Sequence, residues 1–157
     1  DKFKINLSLI KSVIKSNDNR SSLLLNRISE ILKRKVRNKK ICFLGVTFKA
    51  NTDDMRDSPS IKMIPFLNKK GAIINYYDPT GKKKEFDKYK NVNYSKNIKD
   101  AISHSDLIII HTEWNDFKSI DFKSIVKNKK FIIFDMRNIY SLLKMKKSNI
   151  SYFGVGR

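Results

Sequence analysis

Short runs of apolar residues alternate with amphipathic segments along most of this chain, and this alternation restricts the fold more than any other feature of the sequence. Ile41–Val46 and Leu107–Ile110 are such runs, and they are typical of parallel strands that are covered on both faces. In the segments between runs, apolar residues recur at helical spacing. The alternation predicts an α/β fold with a Rossmann-like, doubly wound and mostly parallel sheet, preceded by a long helix.

The predicted elements follow this pattern from end to end. Asp57-Ser58-Pro59 supplies a capping residue and a first-turn proline for one helix, and Gly71 supplies its C-terminal stop. We predict strands at 41–46, 72–77, 106–111 and 130–134, an edge strand at 150–153, and helices at 5–36, 58–71, 96–103, 121–126 and 139–146.

The helical pattern at 5–36 is unusually long for a compact domain, and only Asn17-Asp18-Asn19 lowers its helix propensity. Its length favours a role as a bridge to another part of a protein. The pattern changes at 37–40, so we predict a connecting helix region at 1–38 and an α/β domain at 39–157.

The charge balance is strongly basic, with 34 Lys and Arg against 15 Asp and Glu and a net charge of +19. Such a surplus attracts polyanions, so a basic nucleic-acid-binding module is one alternative. The lysines are, however, scattered among predicted helix ends and loops, and no RNP-type aromatic pattern or paired Cys/His finger accompanies them. We therefore expect no specific nucleic-acid partner.

Cysteine and histidine usage argues against several other classes. Cys42 is the only cysteine, so an internal disulfide and a cysteine-based zinc site are both excluded, which favours a reducing, cytoplasmic setting. His104 and His111 lack the carboxylate spacing of a metal site, and we predict no metal. The apolar runs are too short to cross a bilayer, so we expect no membrane association.

Polar and charged residues follow each predicted strand. In open α/β sheets, ligands bind outside the carboxyl ends of the strands. Lys49, Arg56 and Arg137 come after two of these strands, and a helix begins near Ser58. This combination favours an anionic small molecule such as a diphosphate. The segment after Gly45 is not a G-x-G-x-x-G turn, so we do not expect this loop to cradle a dinucleotide.

Residues 45–59, Gly-Val-Thr-Phe-Lys-Ala-Asn-Thr-Asp-Asp-Met-Arg-Asp-Ser-Pro, resemble the signature G-[LV]-x-F-K-x-x-T-D-D-x-R-[ED]-S-P of the UDP-glucose/GDP-mannose dehydrogenase family. Further matches follow in order at Tyr77-Asp78-Pro79, Thr112-Glu113-Trp114 with Phe117, Phe134–Asn138 and Gly154–Arg157. The Thr-Glu-Trp…Phe segment among them is more similar to the UDP-glucose 6-dehydrogenase branch than to the UDP-N-acetylmannosamine or GDP-mannose branches.

The resemblance covers essentially the whole chain and implies the C-terminal UDP-binding domain with part of the central helix of an NAD-dependent enzyme. That enzyme converts UDP-glucose and two NAD to UDP-glucuronate and dimerises through the central helix. Its thiol nucleophile and most of its NAD site belong to an N-terminal domain, so we expect no catalytic residue in this chain and no turnover by it. A related dehydrogenase domain and a non-catalytic nucleotide-binding module remain alternatives.

The resemblance also implies roles for four residues. Phe48, Lys49 and Arg137 match positions that bind the UDP-sugar, and Arg56 matches a position on the NAD side of the cleft. Competing interpretations are an ion pair of Arg56 with Asp53 or Asp54, and of Arg137 with Asp135 or Glu113. Met136 stands where the family usually has glycine, which raises the question of a left-handed backbone beside Arg137.

Overall fold

The computed structural model describes residues 8–156, and these fall into two units divided between Arg34 and Lys35. The first unit contains one helix, α1 (Ser8–Ile31), which continues through Asn17-Asp18-Asn19 without a break. Residues 5–7 of the predicted helix lie outside the described residues. The prediction that the helix extends to residue 36 is wrong, because Lys33 and Arg34 adopt left-handed φ angles of 51° and 60°.

The second unit is built on a six-stranded sheet in the order β3-β2-β1-β4-β5-β6, and all five strand pairings are parallel. This confirms the predicted Rossmann-like α/β class, whose doubly wound sheets commonly have this strand order. The strands are β1 (Lys40–Leu44), β2 (Ile73–Tyr77), β3 (Val92–Tyr94), β4 (Leu107–Ile110), β5 (Ile132–Asp135) and β6 (Ser151–Gly154).

Helices connect the strands. They are α2 (Ser60–Lys69), α3 (Ile98–Ile102), α4 (Phe122–Ile125) and α5 (Leu142–Lys147). Gly71 ends the first of them as predicted, with a left-handed φ of 86° and its N–H donated to the carbonyl oxygen of Asn68. The strand β3 was not predicted from the sequence, because this three-residue edge strand has no buried residue and therefore no apolar run.

The central strands are buried on both faces. All of β4 is buried, and in β1 only Lys40 is exposed. On one face of the sheet, Cys42, Ile108 and Ile133 belong to a hydrophobic cluster that also includes aromatic side chains from the segments after β4. Because every strand runs in the same direction, the loops that follow the strands all lie at one edge of the sheet, and the loops that precede the strands lie at the opposite edge.

Candidate functional site

The loop after β1 packs directly against the loop after β4. Gly45 has a φ of 75°, and a Cβ atom built on it would lie 2.5 Å from the Cβ of Thr112. Glycine is therefore required here both for its backbone conformation and for the close approach of the two loops. The hydroxyl of Thr112 donates to the carbonyl oxygen of Thr47 at 2.9 Å, which joins the loops again.

A buried carboxylate anchors the start of the same loop. Asp78, directly after β2, accepts hydrogen bonds from the backbone N–H groups of Val46 at 2.8 Å and Thr47 at 3.3 Å through Oδ2. Its Oδ1 accepts from the N–H and the hydroxyl of Thr80 at 3.0 and 2.6 Å. In a dinucleotide site the amides of the first β–α turn face a pyrophosphate. Here the carboxylate of Asp78 accepts hydrogen bonds from two of these amides instead.

The segment before α2 fastens the far end of the loop. The hydroxyls of Ser58 and Ser60 both donate to the carbonyl oxygen of Val46. The predicted cap and first-turn proline are confirmed. Pro59 already has helical backbone angles, with φ at −55° and ψ at −27°, and the hydroxyl of the preceding Ser58 accepts the N–H of Ser60 at 3.3 Å.

A buried histidine supports the hydroxyl that joins the two loops. His111 Nδ1 lies 3.0 Å from the Oγ1 of Thr112, and both residues are buried. Burial, and secondarily the charge of Arg137, lowers the pKa of His111 to about 3, so its ring is neutral at pH 7. Since the Thr112 hydroxyl donates its proton to Thr47, Nδ1 is the protonated nitrogen of the ring.

Arg137 joins the loops after β1, β4 and β5. Its Nε donates to the carbonyl oxygen of His111 at 2.8 Å, and its Nη2 donates to the carbonyl oxygen of Phe48 at 3.2 Å. Nε also lies 2.9 Å from Oε2 of Glu113, so one of the two predicted ion-pair partners is present. The other, Asp135, accepts the backbone N–H of Arg137 at 3.0 Å and makes no ion pair with its guanidinium.

Phe48 and Lys49 lie beside this arginine at the rim of the sheet. The Phe48 side chain is 47% exposed. Lys49 is exposed, and its carbonyl oxygen accepts the Thr47 hydroxyl at 3.1 Å. The structure thus brings the backbone of Phe48 into contact with Arg137 and leaves the Phe48 ring and the Lys49 ammonium open to solvent.

Arg56 forms a separate pair. Its Nε and Nη2 bind the two oxygens of Asp54 at 3.0 and 2.8 Å, which is the ion pair that competes with a binding role. These bonds hold the pKa of Asp54 at about 2. The Arg56 side chain is nevertheless 88% exposed. The Phe48 N–H donates to the Asp54 carbonyl oxygen at 2.9 Å and ties this turn to the loop that contains Phe48 and Lys49.

The segment after β5 explains why methionine is accepted at position 136. Met136 is buried, donates its N–H to the Ile110 carbonyl oxygen at 3.0 Å, and does not have a positive φ. The left-handed conformation falls instead on Asn138, with a φ of 54°, and the Asn138 side chain donates to the Val155 carbonyl oxygen at 3.0 Å. Replacement of the usual glycine therefore places no strain on the backbone beside Arg137.

Groups that could carry out covalent or metal chemistry are placed unfavourably. Cys42 is fully buried in β1, and burial raises the pKa of its thiol, so a nucleophilic thiolate is disfavoured at neutral pH. Between residues 8 and 156, no three side chains of the metal-ligating types form a group that could hold an ion. Over the same range, none of the helices has the length and apolar character that a membrane crossing requires.

The doubly wound sheet, with Arg137 at its carboxyl edge, has the architecture of nucleotide-binding α/β domains. Residues 42–142 match the family described as "UDP-glucose/GDP-mannose dehydrogenase family, UDP binding domain". This chain belongs to that family.

Relatives with curated names agree with the match. The chain is 37% identical over 156 residues to a UDP-glucose 6-dehydrogenase of Rickettsia felis, covering 97% of this chain and 35% of that protein. It is 33% identical over 150 residues to the UDP-glucose 6-dehydrogenase of Rhizobium meliloti, covering 95% and 34%. The chain thus spans about a third of the length of the curated relatives it matches.

Solved structures show the same fold. A UDP-D-ManNAc dehydrogenase from Pyrococcus horikoshii superposes with a TM-score of 0.75 at 26% identity, covering 98% of this chain and 35% of that one. An NDP-N-acetyl-D-galactosaminuronic acid dehydrogenase from Methanosarcina mazei gives a TM-score of 0.78 at 24% identity, covering 91% and 30%.

Proposed function

We propose that this chain is the UDP-sugar-binding part of an NAD-dependent UDP-glucose 6-dehydrogenase. In this proposal, residues 39–157 bind the nucleotide sugar and residues 1–38 form a connecting helix region. The nucleophile and most of the NAD site belong to a further domain of the whole enzyme. The observation that carries the proposal is the Arg137 guanidinium at the carboxyl edge of the sheet, beside the exposed Phe48 ring.

The geometry of Arg137 suits the binding of a diphosphate. Its Nε and Nη2 are used on the carbonyl oxygens of His111 and Phe48, which fixes the plane of the guanidinium. A fixed guanidinium gives charge-assisted hydrogen bonds to phosphate oxygens with little additional loss of side-chain entropy. The neighbouring Lys49 ammonium adds a second positive charge, and the Phe48 ring provides an apolar surface for the nucleotide sugar.

The residues of this chain offer NAD a contact only at the edge of its binding site. NAD, when bound, accepts the hydride from the sugar alcohol. The first β–α turn is not suited to its pyrophosphate, because the carboxylate of Asp78 already accepts the N–H groups of Val46 and Thr47. Arg56 is exposed and cationic, so we assign it a contact on the NAD side of the cleft. To make this contact, its guanidinium leaves the ion pair with Asp54 and binds the cofactor.

The assembly and location of the enzyme belong to the same proposal. We place it in the cytoplasm as a homodimer that associates through the central helix. The 24-residue length of α1 supports the role of the helix, and the single buried cysteine supports a reducing compartment.

The test is an NMR titration of the ¹⁵N-labelled chain with UDP-glucose, UDP-N-acetylmannosamine and GDP-mannose. We expect amide shifts confined to residues 45–59, 111–117 and 135–141, with a dissociation constant of about 1 mM, which corresponds to about −4 kcal/mol. The shifts should be largest for UDP-glucose and should disappear in Arg137→Gln.

A matched control for this titration is Lys118→Gln, which removes one positive charge from the same edge of the sheet. Lys118 donates only to Asn115 at 2.8 Å, so binding should be unchanged. Shifts that persist in Arg137→Gln, or that vanish equally in Lys118→Gln, would contradict the assignment. We also expect the chain by itself to reduce no NAD when UDP-glucose is present.

A further inference from the structure

The lysines that are scattered in sequence collect at one edge of the folded sheet. Since all six strands are parallel, the six segments that immediately precede them lie together at the amino edge, opposite the Arg137 site. These segments are 35–40, 68–72, 87–91, 103–106, 126–131 and 146–150. They contain thirteen cationic residues: Lys35, Arg37, Lys39, Lys40, Lys69, Lys70, Lys88, Lys90, Lys127, Lys129, Lys130, Lys146 and Lys147.

These six segments form the surface that we call the basic edge. Backbone hydrogen bonds join four of them directly, since Asn38 donates to Gly71 and Lys127 donates to Ser103, both at 2.8 Å. Lys40 accepts the N–H of Asp106 at 2.8 Å, and Asp106 accepts the N–H of Ile132 at 2.9 Å. Lys39 accepts the N–H of Ile73 at 2.9 Å. Six strands about 4.8 Å apart give this edge a width of about 24 Å.

Acidic groups on the basic edge are few and already engaged. The same six segments contain only Asp87 and Asp106. Asp87 lies 2.7 Å from the Lys82 ammonium. The carboxylate of Asp106 accepts the Lys40 N–H and the Asn128 side-chain amide, both at 2.9 Å. Asp106 Oδ1 also lies 3.8 Å from the Lys39 ammonium, so the two carboxylates offset at most two of the thirteen positive charges.

The opposite edge has no such surplus. The segments 45–59, 78–83, 95–97, 111–121 and 135–141, which follow or end the strands, contain seven Lys and Arg against eight Asp and Glu. The positive charge of this unit is thus segregated by topology, away from the loops where the nucleotide sugar is proposed to bind. A function at the basic edge therefore requires a different ligand from the one proposed for the Arg137 site.

We infer that the basic edge binds the phosphate backbone of nucleic acid without sequence specificity. Exposed lysines provide the phosphate contacts that dominate such binding, and exposed asparagines at positions 38, 91 and 149 add hydrogen-bond donors and acceptors among them. A width of about 24 Å matches about seven base pairs of duplex at about 3.4 Å each. Hydrogen-bonding side chains between the cations favour this partner over an anionic membrane.

The test measures binding of the chain to a fluorescein-labelled 20-nucleotide RNA and a 20-base-pair DNA by fluorescence anisotropy between 50 and 300 mM KCl. The edge variant replaces Lys69, Lys70, Lys127 and Lys130 with Gln. The control variant, of equal net charge, replaces Lys84, Lys96, Lys99 and Lys118 with Gln. We expect the edge variant to lower the slope of log affinity against log salt on RNA by about 3, and the control variant to leave it unchanged.

Several outcomes would overturn the inference. They are an equal fall in slope for both variants, no binding of either nucleic acid at 50 mM KCl, and binding of phosphatidylserine vesicles in place of nucleic acid. Circular dichroism checks that both variants are folded. Should the edge variant fail to fold, the single substitution Lys130→Gln takes its place, with an expected fall in slope of about 0.7 on RNA and none for Lys118→Gln.

Discussion

The substitution Asp78→Asn should destabilise the α/β unit strongly, because the Asp78 carboxylate holds the carboxyl ends of β1 and β2 together. The carboxylate is fully buried and accepts five hydrogen bonds. Three come through Oδ2 from the N–H of Val46 and the N–H and hydroxyl of Thr47, and two come through Oδ1 from Thr80. An asparagine replaces one of the two accepting oxygens with an NH₂ group, which then faces N–H or O–H donors. A buried donor left without a partner costs about 1–3 kcal/mol.

The size of the effect follows from the two ways in which the asparagine amide can lie. With its NH₂ group toward β1, the N–H groups of Val46 and Thr47 both lose their acceptor. With NH₂ toward Thr80, the backbone N–H of Thr80 loses its acceptor. The hydrogen bonds from Val46 and Thr47 also weaken, because their acceptor is no longer charged. The ammonium of Lys83, which donates to the Thr80 hydroxyl at 2.6 Å, also loses its nearby counter-charge. We expect a loss of about 2–4 kcal/mol.

Urea unfolding followed by the fluorescence of Trp114, the only tryptophan and a buried one, measures this loss. With an m-value of about 2 kcal/mol/M, the midpoint should fall by about 1–2 M. The matched control is Asp53→Asn in the exposed part of the loop after β1, which should change stability by less than about 0.5 kcal/mol. Equal midpoints for the two variants would refute the anchoring role of Asp78.

Three further predictions concern the same edge of the sheet. Gly45→Ala should lower stability by about 1–3 kcal/mol in urea unfolding, since its Cβ would meet Thr112 at 2.5 Å and its φ is positive; an unchanged midpoint would show that the two loops separate easily. His111 has a folded pKa of about 3 against an ordinary value of 6.5, so its neutral form stabilises the chain above pH 6.5 and this contribution is lost as pH falls toward 3. The loss should reach about 2 kcal/mol at pH 5, and a His111→Gln variant should show a correspondingly shallower decline between pH 7 and 5. Glu113→Gln should weaken UDP-glucose binding less than Arg137→Gln in the NMR titration, because the guanidinium keeps its bonds to two carbonyl oxygens.

Local patterns were sufficient to predict most of the fold. The apolar runs located five of the six strands, and Gly71 located the end of α2, because these signals depend on neighbours in sequence. β3 escaped because its residues are not buried and its place in the sheet is set by pairing with β2. The end of α1 escaped because two non-glycine residues, Lys33 and Arg34, adopt left-handed conformations that propensities do not favour.

The candidate site was predictable as a set of positions but not as a set of contacts. The recognised motifs contain Phe48, Lys49 and Arg56 in one segment and Arg137 in another. The hydrogen bond from Arg137 to Phe48 spans 89 residues and depends on the sheet topology. The role of Asp78 was missed for the same reason. In sequence it looks like the end of a strand, and only the fold shows that its carboxylate takes the place a pyrophosphate would need.

The distribution of charge in the folded sheet depends on the direction of its strands. The cations of the basic edge occur in five clusters separated by 16 to 37 residues, and along the chain they resemble ordinary solvated surface. In an antiparallel sheet, consecutive connections alternate between the two edges, and the same residues would be divided between them. In an all-parallel sheet, each residue that precedes a strand lies at one edge. The thirteen cations of the basic edge are therefore a consequence of strand direction, and they leave the opposite edge nearly neutral beside Arg137.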